Sequence, residues 1–206
     1  MKCPLAWQIA TVKNLRAETP EVKTLTLGLP DWTAHRPGQH YDVRLTAEDG
    51  YSAQRSYSVA SEPERRGEID IAVERIADGE VSPFLDDTVV VGDRFEVRGP
   101  IGGYFVWDRS IGGPLLLVAG GSGVVPLMAM LRVSYALTRS QPAGWKGYAR
   151  RIDDAMLKDV SGPLGSDALA FVCGPTALVE VAADGLERIG LPAERIKTER
   201  FGPSGA

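Results

Sequence analysis

Arginine, tyrosine and three serines crowd into Arg55-Ser56-Tyr57-Ser58-Val59-Ala60-Ser61, a run that otherwise alternates like a strand. Arginine is the side chain best suited to a bidentate grip on phosphate. Tyrosine offers a flat face for stacking an aromatic ring, and a hydroxyl besides. The neighbouring serine can donate to a ring nitrogen. A planar, phosphorylated ligand would use all three. An ordinary strand with an exposed Arg and Tyr would also read this way, so the rest of the chain has to decide.

Three further groups bear on that choice. Gly120-Gly121-Ser122-Gly123-Val124-Val125-Pro126 follows the apolar run Leu115–Ala119 and precedes the helix-like Leu127–Arg132. A strand-to-helix turn of this kind aims backbone N–H groups and a helix dipole at a phosphate or pyrophosphate. Its glycines permit close approach, and Pro126 in the first turn costs no helix hydrogen bond. A tight turn with no ligand is the alternative. Cys173-Gly174-Pro175 ends a second apolar run, Ala168–Val172, and so belongs at the same carboxyl edge of a parallel sheet, where α/β folds bind ligands. A small buried hydrophobe is the plainer reading of that cysteine. Gly79-Glu80-Val81-Ser82 precedes a short helix to Thr88, with Ser82 as N-cap and Pro83 at the first position. That loop can take a second phosphate, facing Arg55 across a clamp, or Ser82 can be only a cap.

The elements that must position these residues change character part-way along the chain. Gln8–Leu15, Val22–Leu27, Tyr41–Leu45, Glu68–Val73 and Arg94–Val97 have the two-residue period of half-buried strands. Asp49-Gly50, Asp78-Gly79 and Gly92-Asp93 are among the turns between them. Short strands at this spacing predict a closed antiparallel barrel. After Gly112-Gly113-Pro114 the continuous apolar runs predict strands buried on both faces of a parallel sheet, the second followed by a helix from Ala177 to about Ile189. The expected domains are 1–111 and 112–206. One junction breaks the grammar: the helix ending near Val133 runs straight into the strand-like Tyr135–Thr138. Loops in such folds take about two to six residues, so a segment is expected to be missing near 132–135.

Composition narrows the classes. Hydrophobic residues make up 44% and charged residues 24% of the 206, as in a globular protein. A formal net charge of −4 argues against a nucleic-acid binder, and the basic, aromatic stretch Trp145–Arg151 reads as a solvated face. No apolar run is long enough to span a membrane, and Met1 to Ala10 lacks a signal-peptide core. Cys3 and Cys173 are too few for a disulfide framework, a zinc site or an iron–sulfur cluster. The expectation is a cytoplasmic protein with no metal, whose electrons, if it carries any, reside on an organic cofactor. His35 and His40 have no triad or metal-spaced partners and read as structural or surface residues.

Taken in order, these motifs resemble the ferredoxin–NADP reductase family of flavoproteins. Arg55-x-Tyr57-Ser58 is similar to the family's flavin motif and Gly79-x-x-Ser82 to its pyrophosphate motif. Gly99-Pro100-x-Gly102 matches the turn closing the barrel, and Gly121-x-Gly123-x-x-Pro126 with Cys173-Gly174-Pro175 match the nicotinamide domain. The resemblance implies a Greek-key, flavin-binding β-barrel followed by an α/β nucleotide-binding domain. It implies that Arg55 pairs with the flavin phosphates, with Ser56 among the cofactor-binding residues, that Tyr57 packs on the isoalloxazine and that Ser58 donates towards its N5. Val73 would flank the flavin, with Gly79, Glu80, Val81 and Ser82 on its pyrophosphate. Gly120, Gly121, Ser122 and Gly123 would cradle the pyrophosphate of NAD(P)H, and Cys173, Gly174 and Pro175 would lie near its hydride-bearing carbon. Thr138-Arg139 matches the pair that NADP-dependent members place on the 2′-phosphate. Glu199 and Phe201 resemble carboxyl-terminal residues near the flavin.

The implied activity is hydride transfer from NAD(P)H to FAD and onward electron transfer to a separate ferredoxin-type or oxygenase acceptor, since no four-cysteine domain is appended. FAD is favoured over FMN because both pyrophosphate elements are present. Two rivals stand beside it. One is an NAD(P)H oxidase or flavin reductase; the other is a flavin-binding electron-transfer subunit that does not use nicotinamide.

Overall fold

Alternation of apolar and polar residues in the first half produces an antiparallel sheet. In the computed structural model, which describes residues 5–130 and 148–201, its strands are β1 (Gln8–Thr19), β2 (Val22–Gly28), β3 (His40–Thr46), β4 (Ser52–Ser58), β5 (Glu68–Glu74) and β6 (Arg94–Ile101). Their order is β4-β3-β6-β1-β2-β5, with every neighbour antiparallel. One face supplies the core: Val12, Leu25, Leu27, Tyr41, Val43, Ile69, Ile71, Val73 and Val97 are all but excluded from solvent. A short helical segment running to Thr88 adds Leu85 to that core.

The sheet curls into a barrel that is not closed along its whole seam. Edge strands β4 and β5 meet at one bridge, Val59 to Ile71, just beyond β4, beside a bond from the Ala60 N–H to Asp70 O at 2.8 Å. This corrects the expectation of a closed ladder. β4 is too polar to seal that seam: Ser52, Gln54, Arg55 and Ser56 are exposed, and only Val59 beyond it is fully buried.

The apolar runs of the second half form a parallel sheet, β7 (Leu115–Ala119), β8 (Leu169–Pro175) and β9 (Ile196–Phe201), with β8 central. Helices α1 (Val124–Met128), α2 (Asp154–Ser161) and α3 (Thr176–Arg188) accompany it. Apolar spacing on α3 buries Val179, Ala182 and Leu186 against Val118, Ala170 and Val172. Asp153 caps α2, its Oδ1 accepting from the Met156 N–H at 2.8 Å. A side chain at Gly185 would meet Leu157 at 2.5 Å, so this glycine sets how closely α3 approaches α2.

The described residues fall into two compact units, 5–108 with 128–130, and 109–127 with 148–201. Among them no helix is long and apolar enough to cross a membrane. The suspect junction near 132–135, the strand-like Tyr135–Thr138 and Arg139 lie outside the described residues.

Candidate functional site

The period of β4 places Ala53, Arg55 and Tyr57 on one face, because successive strand side chains point to opposite sides. Arg55 pairs across the sheet with Val43, and Tyr57 with Tyr41. Tyr57 is half-buried against the barrel core, and loss of water around its phenol pushes the pKa up to about 12, with the Arg55 charge opposing slightly. It is a neutral donor at any physiological pH. Arg55 is 56% exposed; it donates to Gln54 O at 2.7 Å and lies 4.0 Å from the Glu80 carboxylate. So open an ion pair contributes about 0–1 kcal/mol, which leaves the guanidinium available to a phosphate.

That distance also brings Arg55 and the 79–82 loop together. The loop is pinned from beneath: Val81 is in the core, and the buried Ser82 Oγ accepts from the Ile76 N–H at 3.1 Å. A Cβ on Gly79 would stand 3.1 Å from both Ile76 O and Ser82 Oγ. Ser82 is therefore not the N-cap expected of it. It lies inside the helical run, and its hydroxyl braces the preceding turn. Glu80 points outward and accepts from the Tyr51 hydroxyl at 2.7 Å.

Other candidates are placed differently. Ser56 donates to Asp42 Oδ1 at 2.7 Å, on the face away from Arg55. Burial alone would raise the Asp42 carboxyl, but Ser56 and Arg98, at 2.7 Å, outweigh it and hold its pKa below the usual value. Ser58 ends β4 half-buried, opposite His40. The side chain of Val73 is spent wholly on the core. The exit of β4 is held by a hub that single-residue reasoning missed. Gln39 accepts the Val59 N–H on its backbone oxygen at 3.0 Å, while its side chain accepts from the Arg36 N–H and donates to Gly102 O, both at 2.7 Å. His35 is buried, with Nε2 donating to Ser61 O at 3.1 Å.

In the second unit the glycine turn is sutured to the end of β8. Gly120 N–H donates to Cys173 O at 3.0 Å. An ideal Cβ on Gly123 would fall 2.2 Å from that same oxygen. Gly123 is thus required by a backbone-to-backbone approach, and Gly121, with φ of +55° and open space around it, by its left-handed conformation. Gly120, Gly121, Ser122 and Gly123 and the Cys173-Gly174-Pro175 strand end share the carboxyl edge of the sheet. Glu199 pairs with Cys173 on β9, and Phe201 with Pro175. The Cys173 thiol is fully buried and donates to Glu199 Oε2 at 3.5 Å. Burial, then the nearby carboxylate, raises its pKa, so it is a thiol rather than a thiolate. Burial likewise raises the Glu199 carboxyl. Thr138 and Arg139 lie outside the described residues.

Residues 10–106, which carry Arg55, Tyr57, Ser58 and the 79–82 loop, match the model of the oxidoreductase FAD-binding domain. The chain is similar to ferredoxin–NADP reductase-like flavoprotein oxidoreductases. It is similar to the reductase subunit of an aromatic O-demethylase from Amycolatopsis sp., 26% identical over 242 aligned positions that cover 98% of this chain and 71% of that one. The ferredoxin reductase component of a 3-ketosteroid-9-alpha-monooxygenase from Rhodococcus rhodochrous is 27% identical, covering 94% of this chain and 64% of its own. The chain thus spans roughly two thirds of the length of these curated relatives. The first alignment is longer than the 206 residues present, so that relative carries residues with no counterpart here. The fold is shared with a cytochrome P450 reductase from Amycolatopsis (TM-score 0.81, 24% identity, 98% of this chain and 72% of that one). A ferredoxin NADP+ reductase from Neisseria gonorrhoeae, solved with FAD and NADP, has TM-score 0.77 at 16% identity, covering 94% and 98%.

The barrel residues fit the FAD for which the matched domain is named. An exposed guanidinium, 4.0 Å from its nearest acid, shares a strand face with a half-buried neutral phenol ring two residues along.

Proposed function

We propose that this chain is an FAD-dependent NAD(P)H reductase that hands electrons to a separate iron–sulfur protein or oxygenase, a reading supported by relatives named as the reductase subunit of an aromatic O-demethylase and the ferredoxin reductase component of a 3-ketosteroid monooxygenase. The observation that carries this reading is the meeting of Arg55 with the 79–82 loop, beside Tyr57, within the FAD-binding domain. Bound FAD supplies the chemistry, accepting two electrons from a nicotinamide and releasing them singly.

The chain supplies orientation. Arg55 neutralises and grips phosphate, Tyr57 presents a flat neutral ring, and Ser58 at the end of the strand offers a hydroxyl to the ring's edge. Close alignment of reacting atoms can contribute about 7–11 kcal/mol. In the second unit, Gly120 to Gly123 with Gly174 offer backbone to a nicotinamide pyrophosphate. Cys173, protonated and held by Glu199, serves as packing and a weak donor, not as a nucleophile. Arg139 inclines the reading towards NADPH. The domains are taken as 1–111 for the flavin and 112–206 for the nicotinamide, with the residues present in longer relatives missing near 132–135. A cytoplasmic setting suits a chain with only two cysteines.

The test is anaerobic addition of NADPH, then NADH, to the FAD-loaded chain, with flavin absorbance followed before and after an iron–sulfur protein is added. Bleaching followed by reoxidation by the partner is expected. Absence of bleaching by either nucleotide would leave a flavin-binding subunit instead, and rapid turnover on oxygen alone would favour an oxidase.

A further inference from the structure

His40 opens β3 opposite two strand ends, Ser58 of β4 and Ile101 of β6. The residue before it, Gln39, is buried and bonds just beyond both of them. Its backbone oxygen accepts from the Val59 N–H at 3.0 Å, and its Nε2 donates to Gly102 O at 2.7 Å. Its Oε1 accepts from the Arg36 N–H at 2.7 Å, which closes the 36–39 turn on itself. That turn is also fixed along the 102–107 segment. Pro37 O accepts from the Trp107 N–H at 3.1 Å, and a Cβ on Gly38 would fall 1.8 Å from Phe105 O. A buried polar network whose members are satisfied is rigid.

The barrel is open where this rigidity acts. Among the described residues β4 and β5 meet at one bridge, Val59 to Ile71. Beyond it the chain is tied to β5 by the Ala60 N–H to Asp70 O and by the Asp70 N–H to Ser61 Oγ, at 2.8 and 3.1 Å. Ser58 stands between that closure and the open run of β4. Its hydroxyl lies where the backbone at 58–59 sends it, and the bond to Gln39 O ends the β3 side of the ladder that fixes this backbone. A hydroxyl aimed at one ring atom needs one direction, because a misplacement of about 1 Å can cost about 100-fold in rate.

We propose that Gln39 is a positioning residue for flavin reduction. Its side chain locks the 36–39 turn, the turn holds Val59, and Val59 sets the Ser58 hydroxyl against the edge of the flavin ring. Gln39 acts through Ser58 and not by contact with the cofactor. The inference rests on the flavin reading above and deepens it. Arg55 grips phosphate from further back along β4, so affinity and rate should separate.

Two substitutions test it. Gln39→Leu removes both side-chain bonds at similar volume, whereas Gln39→Glu keeps the acceptor and donates to Gly102 O only while its carboxyl is protonated. In the FAD-loaded chain, Gln39→Leu should slow anaerobic reduction by saturating NADPH on the order of tenfold. It should shift the visible absorption band of the flavin and change FAD affinity by less than about threefold. In the flavin-free chain, amide exchange at Val59 should quicken on the order of tenfold. Gln39→Glu should match wild type near about pH 6 and slow towards the leucine variant by about pH 8.5, since burial and the facing carbonyl raise the introduced carboxyl's pKa and the donor is lost as pH rises through it. Ser58→Ala alone should slow reduction, and adding Gln39→Leu to it should change nothing further. Additive losses, an unchanged rate in either single variant, or a fall in flavin affinity as large as the fall in rate would overturn the inference and leave the flavin reading standing. If circular dichroism shows Gln39→Leu to be unfolded, the pH profile of Gln39→Glu decides, and a profile parallel to that of wild type overturns the inference. A wild type that binds no flavin would overturn both.

Discussion

Replacing Gly123 with alanine should break the second unit at its candidate ligand edge. An ideal Cβ there falls 2.2 Å from Cys173 O, 2.6 Å from Cys173 C and 2.9 Å from Gly174 Cα. All three are backbone atoms at the end of β8, the central strand of the sheet, so no flexible side chain can yield. The turn or the strand end must move by about 1 Å to reach ordinary contact. Overpacking of this kind costs about 1–3 kcal/mol. Movement should also cost the Gly120 N–H bond to Cys173 O, worth about 0.5–1.5 kcal/mol. The sum is roughly 2–4 kcal/mol, hence a fall on the order of 10 °C or more in the melting of a unit this size. Gly121→Ala is the control. Its Cβ would meet nothing within 4 Å, and only the left-handed φ of +55° is strained, which costs about 1–2 kcal/mol. Calorimetry measures both, with nicotinamide-driven bleaching of the flavin as a second readout. Gly123→Ala should slow bleaching while flavin retention, a property of the barrel, is unchanged. A variant that melts within 2 °C of wild type, or is hurt less than Gly121→Ala, would refute this account of the turn.

Arg55→Ala should raise the dissociation constant for flavin by about tenfold or more, the lower end of what a hydrogen bond to a charged group contributes, because the guanidinium is exposed; full flavin occupancy after purification would count against it. Cys173 should resist iodoacetamide at pH 8 in the folded protein and react once unfolded, since burial raises its thiol pKa; rapid labelling of the native chain would show that the thiol is open. Burial lowers the pKa of His35 and of His40 below 6.5. The unfolded chain then binds more protons, so their contribution to stability is fully present above about pH 6.5 and is lost as pH falls through the folded values. The urea midpoint of the barrel should drop between pH 7.5 and 5.5, and His35→Gln should lessen the drop; identical slopes in both proteins would speak against it.

Much of the scaffold was legible because strand and helix periods are local properties. The alternation of Glu68–Val73 foretold β5, yet the same alternation points Val73 into the core. The serine of Gly79-x-x-Ser82 was visible, but whether it capped the helix or braced Ile76 depended on a turn folding back. α2 and β9 went unread. β9 is short and half-exposed, and it becomes a strand only by pairing with β8. Tyr51 is in phase with Ala53, Arg55 and Tyr57, immediately after the Asp49-Gly50 turn.

From residue order alone came the change from antiparallel to parallel grammar, the cation-and-ring face of β4 and the glycine turn after β7. These depend on neighbours a few positions apart, where backbone period and turn chemistry dominate. Only the folded chain set Glu80 between Tyr51 and Arg55, tied Ser56 to Asp42 and Arg98, and closed Gly123 onto Cys173. Each of those contacts joins residues from different elements. Which of them meet is decided by packing the barrel and the sheet against their own cores, and no local pattern encodes that.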